Sequence, residues 1–282
     1  MLVTGASSGI GLETALHLAA RGLPVCATIR DLSRRSTIDE QATRRNVTLD
    51  VLPLDITSQA SVDSAVRTLV ERYGGIAAVV NNAGLQLRGY FEDQADDEIR
   101  HVFDVNLFGT MAVTRAVLPV MRAARTGRIV IVGSIGGLIG SPALSSYCAS
   151  KHALEGFGEA LSLEVAALGI HVSLVEPAIV RTAIWRETRG IARAARNPSS
   201  PYHGWFATGE ELADRVVATA PTTAAEVAEA VHLALTAARP RLRYFVGRRA
   251  GLLLLLRRYL PAALFETLYF DEVIRRITGV RP

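Results

Sequence analysis

The chain has 282 residues and a single lysine, Lys151, although Lys and Arg together number 31. Its basic charge is almost wholly arginine. The arginines are scattered, with doublets at 34–35, 44–45, 248–249, 257–258 and 275–276, and the net charge is only +4. A solvated arginine-rich surface is expected, and no nucleic-acid partner. Cysteine is scarce: Cys26 and Cys148 allow one disulfide on paper but no framework of them, which points to a reducing, cytoplasmic compartment. Long apolar runs are missing too. The strongest, residues 250–256, falls far short of the ~20 residues a spanning helix needs. A glycine-rich loop begins five residues in, so a signal peptide is not expected. His101, His171, His203 and His232 have no metal-ligand spacing with one another or with a cysteine, and no metal site is expected.

What is present is an ordinary globular composition, 49% hydrophobic and 21% charged, in a chain long enough for a sizeable core. Strand-like and helix-like segments alternate. Strands are expected near 2–4, 24–29, 47–54, 76–80, 128–132, 170–175 and 242–246. Helices are expected near 9–21, 34–45, 58–73, 96–125, 146–168 and 223–238. Residues 181–221 read as irregular, because Pro198, Pro201 and Gly204 fall there. Repeated strand–helix–strand units predict an α/β fold: one doubly wound domain over 1–282, with a mostly seven-stranded parallel sheet and helices on both faces. Residues 183–222 are expected to form an insertion over the substrate and 247–282 a helical extension. Ligands in such sheets lie beyond the carboxyl ends of the strands, so residues just after strands carry the functional reading.

Thr4-Gly5-Ala6-Ser7-Ser8-Gly9-Ile10-Gly11 joins the first strand to the first helix. Gly5 permits a tight turn, Gly9 a close backbone approach to a pyrophosphate, and Gly11 close helix–strand packing. The helix N-terminus supplies free N–H groups and partial positive charge. The second strand ends Thr28-Ile29-Arg30-Asp31. Ile29 stands where an acid would bind the ribose 2′-hydroxyl of NAD, while Arg30 can fork onto a 2′-phosphate, which favours NADP(H). The competing reading makes Asp31 the ribose ligand.

Tyr147 and Lys151 lie one helical turn apart. A phenol near pKa ~10 is a poor base at neutral pH. A nearby ammonium favours the phenolate, by on the order of 4 kcal/mol at 4 Å and an effective dielectric of ~20 before desolvation is subtracted. The pair can therefore act as a general acid/base. Ser134 follows the fifth strand, where a hydroxyl that polarises a substrate oxygen is wanted.

With these residues in place, the chain resembles the short-chain dehydrogenase/reductase family over nearly its full length. Thr4-Gly5-x-x-x-Gly9-x-Gly11 is similar to its cofactor loop, Asp55-Ile56 to its adenine-contacting segment, and Asn81-Asn82-Ala83-Gly84 to the motif after its fourth strand. Asn106, Ser134, Tyr147 and Lys151 match its catalytic tetrad. The resemblance implies that Tyr147 exchanges a proton with the substrate oxygen and that Ser134 hydrogen-bonds that oxygen. It further implies that Lys151 holds the nicotinamide ribose and tunes Tyr147, and that Asn106 anchors a water in a proton relay. Pro177-Ala178-Ile179-Val180-Arg181-Thr182 resembles the segment whose threonine binds the carboxamide, with Ala178 where the family commonly has glycine. The cofactor-binding set so implied is Gly5, Ser7, Ser8, Gly9, Ile10, Gly11, Arg30, Asp55, Ile56, Asn82, Ala83, Gly84, Tyr147, Lys151, Pro177, Val180 and Thr182. The family usually carries several residues before its first strand, so a start upstream of Met1 is also expected. Residues 147–156, 27–32 and 242–245 are similar to the 17β-hydroxysteroid and retinol dehydrogenase branch, which implies NADP(H) and a bulky lipophilic alcohol or carbonyl substrate.

Other residues read as packing or surface. Cys148 is expected to be a small core side chain. His152 points about 100° away from Lys151 round the helix. Trp185, Tyr202, Trp205 and Phe206 are expected over an apolar substrate or as local core of the insertion. The 247–282 segment, with leucines between arginine pairs, fits pocket closure, a subunit contact or a peripheral membrane contact. A homodimer or homotetramer is expected, paired through the helix at 146–168 with its Ala149, Ala153, Ala160, Leu161 and Val165. The alternative function is a dinucleotide-binding sensor or scaffold without turnover.

Overall fold

A computed structural model of the protein describes residues 1–181 and 189–280. Seven strands form one parallel sheet: β1 (Leu2–Val3), β2 (Cys26–Ile29), β3 (Asp50–Pro53), β4 (Ala78–Asn81), β5 (Gly127–Val132), β6 (Ile170–Pro177) and β7 (Arg243–Val246). Their order is β7-β6-β5-β4-β1-β2-β3. Leu2 pairs with Cys26 on one side and Val79 on the other, so the order reverses between β1 and β4. Successive crossovers run away from each other at that point and open a crevice above the strand ends.

The helices are α1 (Gly9–Ala20), α2 (Arg35–Arg44), α3 (Gln59–Tyr73), α4 (Asp96–Phe103), α5 (Thr110–Ala124), α6 (Ser145–Val165), α7 (His203–Ala218), α8 (Ala224–Thr236) and α9 (Arg248–Tyr259). Alternate strand residues serve opposite faces. Leu2, Val79, Ile129 and Leu174 share one core with α3, α5 and α6; Val3, Val80, Val130 and Val175 share the other with α1, α2 and α8. Covered on both faces, β2 and β4 are buried along their whole length. The helix ends follow local chemistry. Ser58 caps α3, which stops at Gly74 with φ 72°, and Thr223 and Glu226 make a capping box on α8.

The helical run Asp96–Ala124 spans 29 residues and is apolar enough, by composition, to cross a membrane. In the fold Val102, Val113, Val117 and Met121 are buried in the protein's own core. A π-helical turn, Asp104–Gly109, interrupts the run and carries Asn106. Such turns are frequent at functional sites.

The expectation of irregular chain across 181–221 is corrected in its described part. Residues 203–218 form α7, with Phe206 and Val217 buried three turns apart. Pro198 and Pro201 precede the helix, and Gly204 lies in its first turn, where the N–H groups lack intrahelical acceptors. The breakers mark a helix start, not a loop. Thr222–Thr223 pairs with Val180–Arg181, and Gln86–Arg88 with Arg189–Ile191, which ties the insertion to the strand ends. Trp185 and Thr182 lie outside the described residues. After α9 the chain forms a helix (Ala262–Phe265), a π turn (Glu266–Asp271) and a last helix (Glu272–Thr278).

Candidate active site

The loop after β1 and the loop after β4 are stapled across the crevice. The Thr4 hydroxyl accepts from the N–H groups of Asn82 and Ala83, both at 3.0 Å. The Asn82 amide donates to the carbonyls of Thr4 and Gly5 at 3.0 and 3.1 Å. Packing here demands glycine: a Cβ on Gly5 would stand 2.7 Å from Ala83 Cα, and one on Gly11 only 2.3 Å from the Gly5 oxygen. Gly9 adopts φ 56°, and Ser8, the N-cap of α1, makes no side-chain cap bond. The first N–H groups of α1 therefore face the crevice without a side-chain acceptor of their own. No acidic residue stands in that turn. This is the arrangement an anion such as a pyrophosphate needs. Ser7, Ser8, Ile10 and Gly11 line the cleft.

Beyond β2, Arg30 is exposed and lines the same cleft. Asp31 is already engaged: its carboxylate accepts from the Ser33 N–H at 2.9 Å and the Ser33 hydroxyl at 2.8 Å. Those bonds hold its pKa below the usual range. An acid tied into a local cap is a poor ribose ligand, and the competing reading of Asp31 loses its support. Arg34, four residues on, also lines the cleft. Asp55, after β3, accepts from the Thr57 N–H and hydroxyl at 2.9 and 2.7 Å, and Ile56 and Gly84 complete this wall.

The four residues of the tetrad converge from three elements. Asn106 is fully buried. Its amide oxygen accepts from the Leu85 N–H at 2.8 Å, and its amide nitrogen donates to the Leu85 carbonyl at 2.9 Å and to Ser150 Oγ at 3.0 Å. Its side chain thus clamps the chain after β4 onto α6. Ser134 caps a short turn, its Oγ accepting from the Gly136 N–H at 3.0 Å, and lies with the Tyr147 ring edge beside Gly136. Lys151 is 6% exposed and donates to the Val132 carbonyl at 2.9 Å. Its Nζ lies 6.0 Å from the centre of the Tyr147 ring.

The electrostatics differ from the expectation that Lys151 lowers the phenol pKa. Burial pushes Tyr147 up to about 12, opposed by the Ser134 side chain. Burial pulls Lys151 down to about 8, opposed by the Glu176 carboxyl. Desolvation outweighs the charge interaction across that separation. In the protein by itself Tyr147 is a phenol that keeps its proton.

Pro177, Ala178, Ile179 and Val180 line the cleft beyond β6. Ala178 replaces the family's usual glycine without strain, because Gly247 opposes it: a Cβ there would stand 2.8 Å from the Ala178 methyl. The cleft has a volume of about 1030 Å³. Trp205, Phe206 and Val216 of α7, with Leu253, Tyr269 and Ile277 of the C-terminal segment, form its outer, apolar wall. Tyr202 instead stacks on Tyr90 with ring centres 4.9 Å apart. His152 is exposed, its ring bonded to the Cys148 carbonyl at 2.8 Å, and Cys148 is buried.

Sequence reasoning missed three contributors. Thr4 was legible as the polar residue directly before the glycine loop. Arg34 was legible as a second cation one turn past Arg30. Glu176 was legible as an acid inside the buried strand Leu174-Val175-Glu176-Pro177.

The short chain dehydrogenase family model matches residues 1–191. The chain is 36% identical over 278 residues to the uncharacterized oxidoreductase YusZ of Bacillus subtilis (strain 168), covering 95% of each. It is 37% identical to 17-beta-hydroxysteroid dehydrogenase type 1 of Homo sapiens over 259 residues, 88% of this chain and 77% of that one. Among solved structures, an actinorhodin polyketide ketoreductase with NADPH superposes with a TM-score of 0.75 at 35% identity, covering 89% of this chain and 96% of that one.

Proposed function

The chain belongs to the short-chain dehydrogenase/reductase family, and on that premise we propose that it moves hydride between NADP(H) and a lipophilic alcohol or carbonyl compound, with Tyr147 as the acid/base. It is an oxidoreductase acting on CH–OH groups. The single observation that carries the finer reading is that Ser134 Oγ and the Tyr147 ring come together beside Gly136 in a cleft whose outer wall is apolar.

The residues present fit the cofactor. Gly5, Gly9 and Gly11 with the open end of α1 suit the pyrophosphate, and Arg30 with Arg34 suits a 2′-phosphate. Asp55, Ile56, Asn82, Ala83 and Gly84 line the adenosine side and Tyr147, Lys151, Pro177 and Val180 the nicotinamide side, and resemblance alone adds Thr182 to the latter. The NADPH in the polyketide ketoreductase supports this choice. When bound, the cofactor supplies or takes the hydride.

In the reducing direction, Ser134 Oγ and the Tyr147 hydroxyl hydrogen-bond the substrate oxygen, and Tyr147 gives it the proton. In the oxidising direction Tyr147 takes the proton back, which requires a lower phenol pKa than burial alone allows. The Lys151 ammonium, held by Val132, is the nearby charge that favours the phenolate. Asn106 keeps the Leu85 backbone and α6 in register, and anchors the water of the relay. Burial of the site strengthens each of these interactions.

Residues 1–282 form one domain in this reading, with 183–222 as the insertion over the substrate and 247–282 as the extension that closes the cleft. The steroid substrate named for the human relative, and the apolar wall here, support a bulky lipophilic substrate. The extension also exposes Leu252, Leu255, Tyr259 and Leu268 beside Arg257 and Arg258, a face suited to peripheral membrane contact by a cytoplasmic protein. The test of function is a panel of lipophilic ketones and alcohols with NADPH or NADP, read at the nicotinamide absorbance band. Turnover of apolar members is expected; turnover confined to small hydrophilic ones contradicts the substrate class.

A further inference from the structure

Behind the tetrad lies a second set of ionisable groups that the reaction does not use directly. Glu176, at the end of β6, is fully buried. Its Oε2 accepts from the Ser134 backbone N–H at 2.7 Å. Gly133 is the residue that admits it, since a Cβ there would stand 2.1 Å from Glu176 Oε1. Facing Glu176 is Glu155, one turn past Lys151 on α6, near enough that its carboxyl disfavours ionisation of Glu176. Glu155 Oε2 accepts from Arg243 Nε at 2.8 Å, and the same guanidinium reaches Glu159 at the surface.

The remaining oxygens pose the problem. Glu155 Oε1 and Glu176 Oε1 are both buried, and neither has a donor partner. Two ionised carboxylates cannot share such a place, because neighbouring like charges disfavour a second ionisation. One proton between them satisfies both oxygens. Arg243 pairs with Glu155, whereas among the described residues Glu176 has no cation within hydrogen-bond distance, so the proton belongs to Glu176.

We propose that Glu155 and Glu176 hold a single shared proton, and that Glu176, as a neutral acid, is a positioning residue that fixes the Ser134 backbone and keeps a free counter-charge from Lys151. The chain of groups runs from solvent through Arg243 and Glu155 to Glu176 and the Ser134 N–H, within electrostatic reach of Lys151. An ionised Glu176 would instead pair with Lys151 and compete with the ligand groups that its ammonium serves. The positioning role rests on the proposed parts played by Ser134 and Lys151; the shared proton does not.

Burial, with the contact to Glu155, pushes the Glu176 carboxyl far above the usual carboxylate range, against the Ser134 bond and the Lys151 charge. The folded protein therefore holds a proton that the unfolded chain releases, and stability falls as pH rises above the ordinary carboxyl pKa of 4.5. The other groups facing the pair are Lys151 and Glu159 on α6, Arg243 on β7 and the Tyr147 phenol.

The test uses the full chain and Glu176→Gln, whose amide reproduces the neutral acid: its oxygen accepts from Ser134 and its nitrogen donates to Glu155. At pH 7 the infrared spectrum of the native protein should show the carbonyl stretch of a protonated carboxylic acid, and the variant should lack it. Thermal unfolding from pH 5 to 9 should show the variant gaining on the native protein as pH rises. NADPH-dependent turnover should stay at the native level in Glu176→Gln and fall about tenfold or more in Glu176→Met, which leaves the Ser134 N–H unpaired. A missing acid band, parallel unfolding curves, or a Gln variant as impaired as the Met variant would each overturn the proposal. The infrared and unfolding readouts need no substrate, so their failure falls on the proton and a failure of turnover in the native protein falls on the proposed function.

Discussion

Lys151 Nζ stands 6.0 Å from the centre of the Tyr147 ring and donates to the Val132 carbonyl at 2.9 Å. At that separation burial governs both groups, in opposite senses: it holds the proton on the phenol and loosens it from the amine. A protonated Tyr147 is equipped to donate to a carbonyl oxygen at neutral pH.

The first consequence is a pH profile. Lys151 loses its charge as pH rises through about 8. Because kcat/KM reports the free enzyme, reduction followed by kcat/KM for NADPH should fall above that pH. In Lys151→Arg, whose charge does not titrate in this range, the alkaline limb should vanish even if the plateau is lower. A limb unchanged in that variant would assign it to another group.

The lone lysine makes chemical labelling specific. An amine-reactive acylating reagent at pH 8 can reach only Lys151 and the Met1 amine, which itself donates to the Pro24 carbonyl at 2.7 Å. Peptide mapping should find Lys151 acylated in the free protein and protected by NADP. Equal labelling with and without NADP would remove Lys151 from the cofactor site.

Cofactor choice should rest on two arginines. The native protein should prefer NADPH to NADH by kcat/KM. Arg30→Ala should erase most of that preference and Arg34→Ala part of it, with NADH use little changed. Equal use of both cofactors by the native chain would contradict the assignment.

Subunit pairing should use α6 and the helical run before it, but not the expected Leu161 and Val165, which are buried in the protein's own core. Leu163 on α6 is 77% exposed and Phe108 is 56% exposed, large apolar groups on a surface that one sheet does not need. Sedimentation at micromolar concentration should give a dimer or tetramer, and Leu163→Glu should shift it toward monomer. A native monomer would sink this prediction.

Much of the architecture was legible because parallel strands buried on both faces write continuous apolar runs, such as Ile129 to Val132, between amphipathic helices. The site was legible where chemistry forces an identity: Gly11, which has no room for a Cβ, and Tyr147 with Lys151, one turn apart. It was not legible where the answer depends on what lies opposite. Ala178 is relieved by Gly247, nearly seventy residues away in sequence. Glu176 reads as one acid among many until Gly133 and Glu155 are seen around it. The direction of the Tyr147 shift likewise depends on burial, which no spacing reveals. Helix α7 is hidden in the sequence because Pro198, Pro201 and Gly204 have the composition of a loop, although the prolines precede the helix and the glycine lies in its first turn.

The central claim is that the Tyr147 hydroxyl is the acid/base, and turnover by Tyr147→Phe tests it most directly. The ring still packs against Gly136, so the fold and cofactor binding should survive, checked by circular dichroism and by NADPH titration. General acid/base contributions run to ~10²–10⁴-fold, and kcat should fall by an amount of that order. Lys151→Ala should instead weaken cofactor binding and turnover together. A Tyr147→Phe protein that binds NADPH normally yet keeps more than about a tenth of native kcat, well short of that range, would contradict the account. It would return the sensor reading, or a different proton-transfer group, to first place.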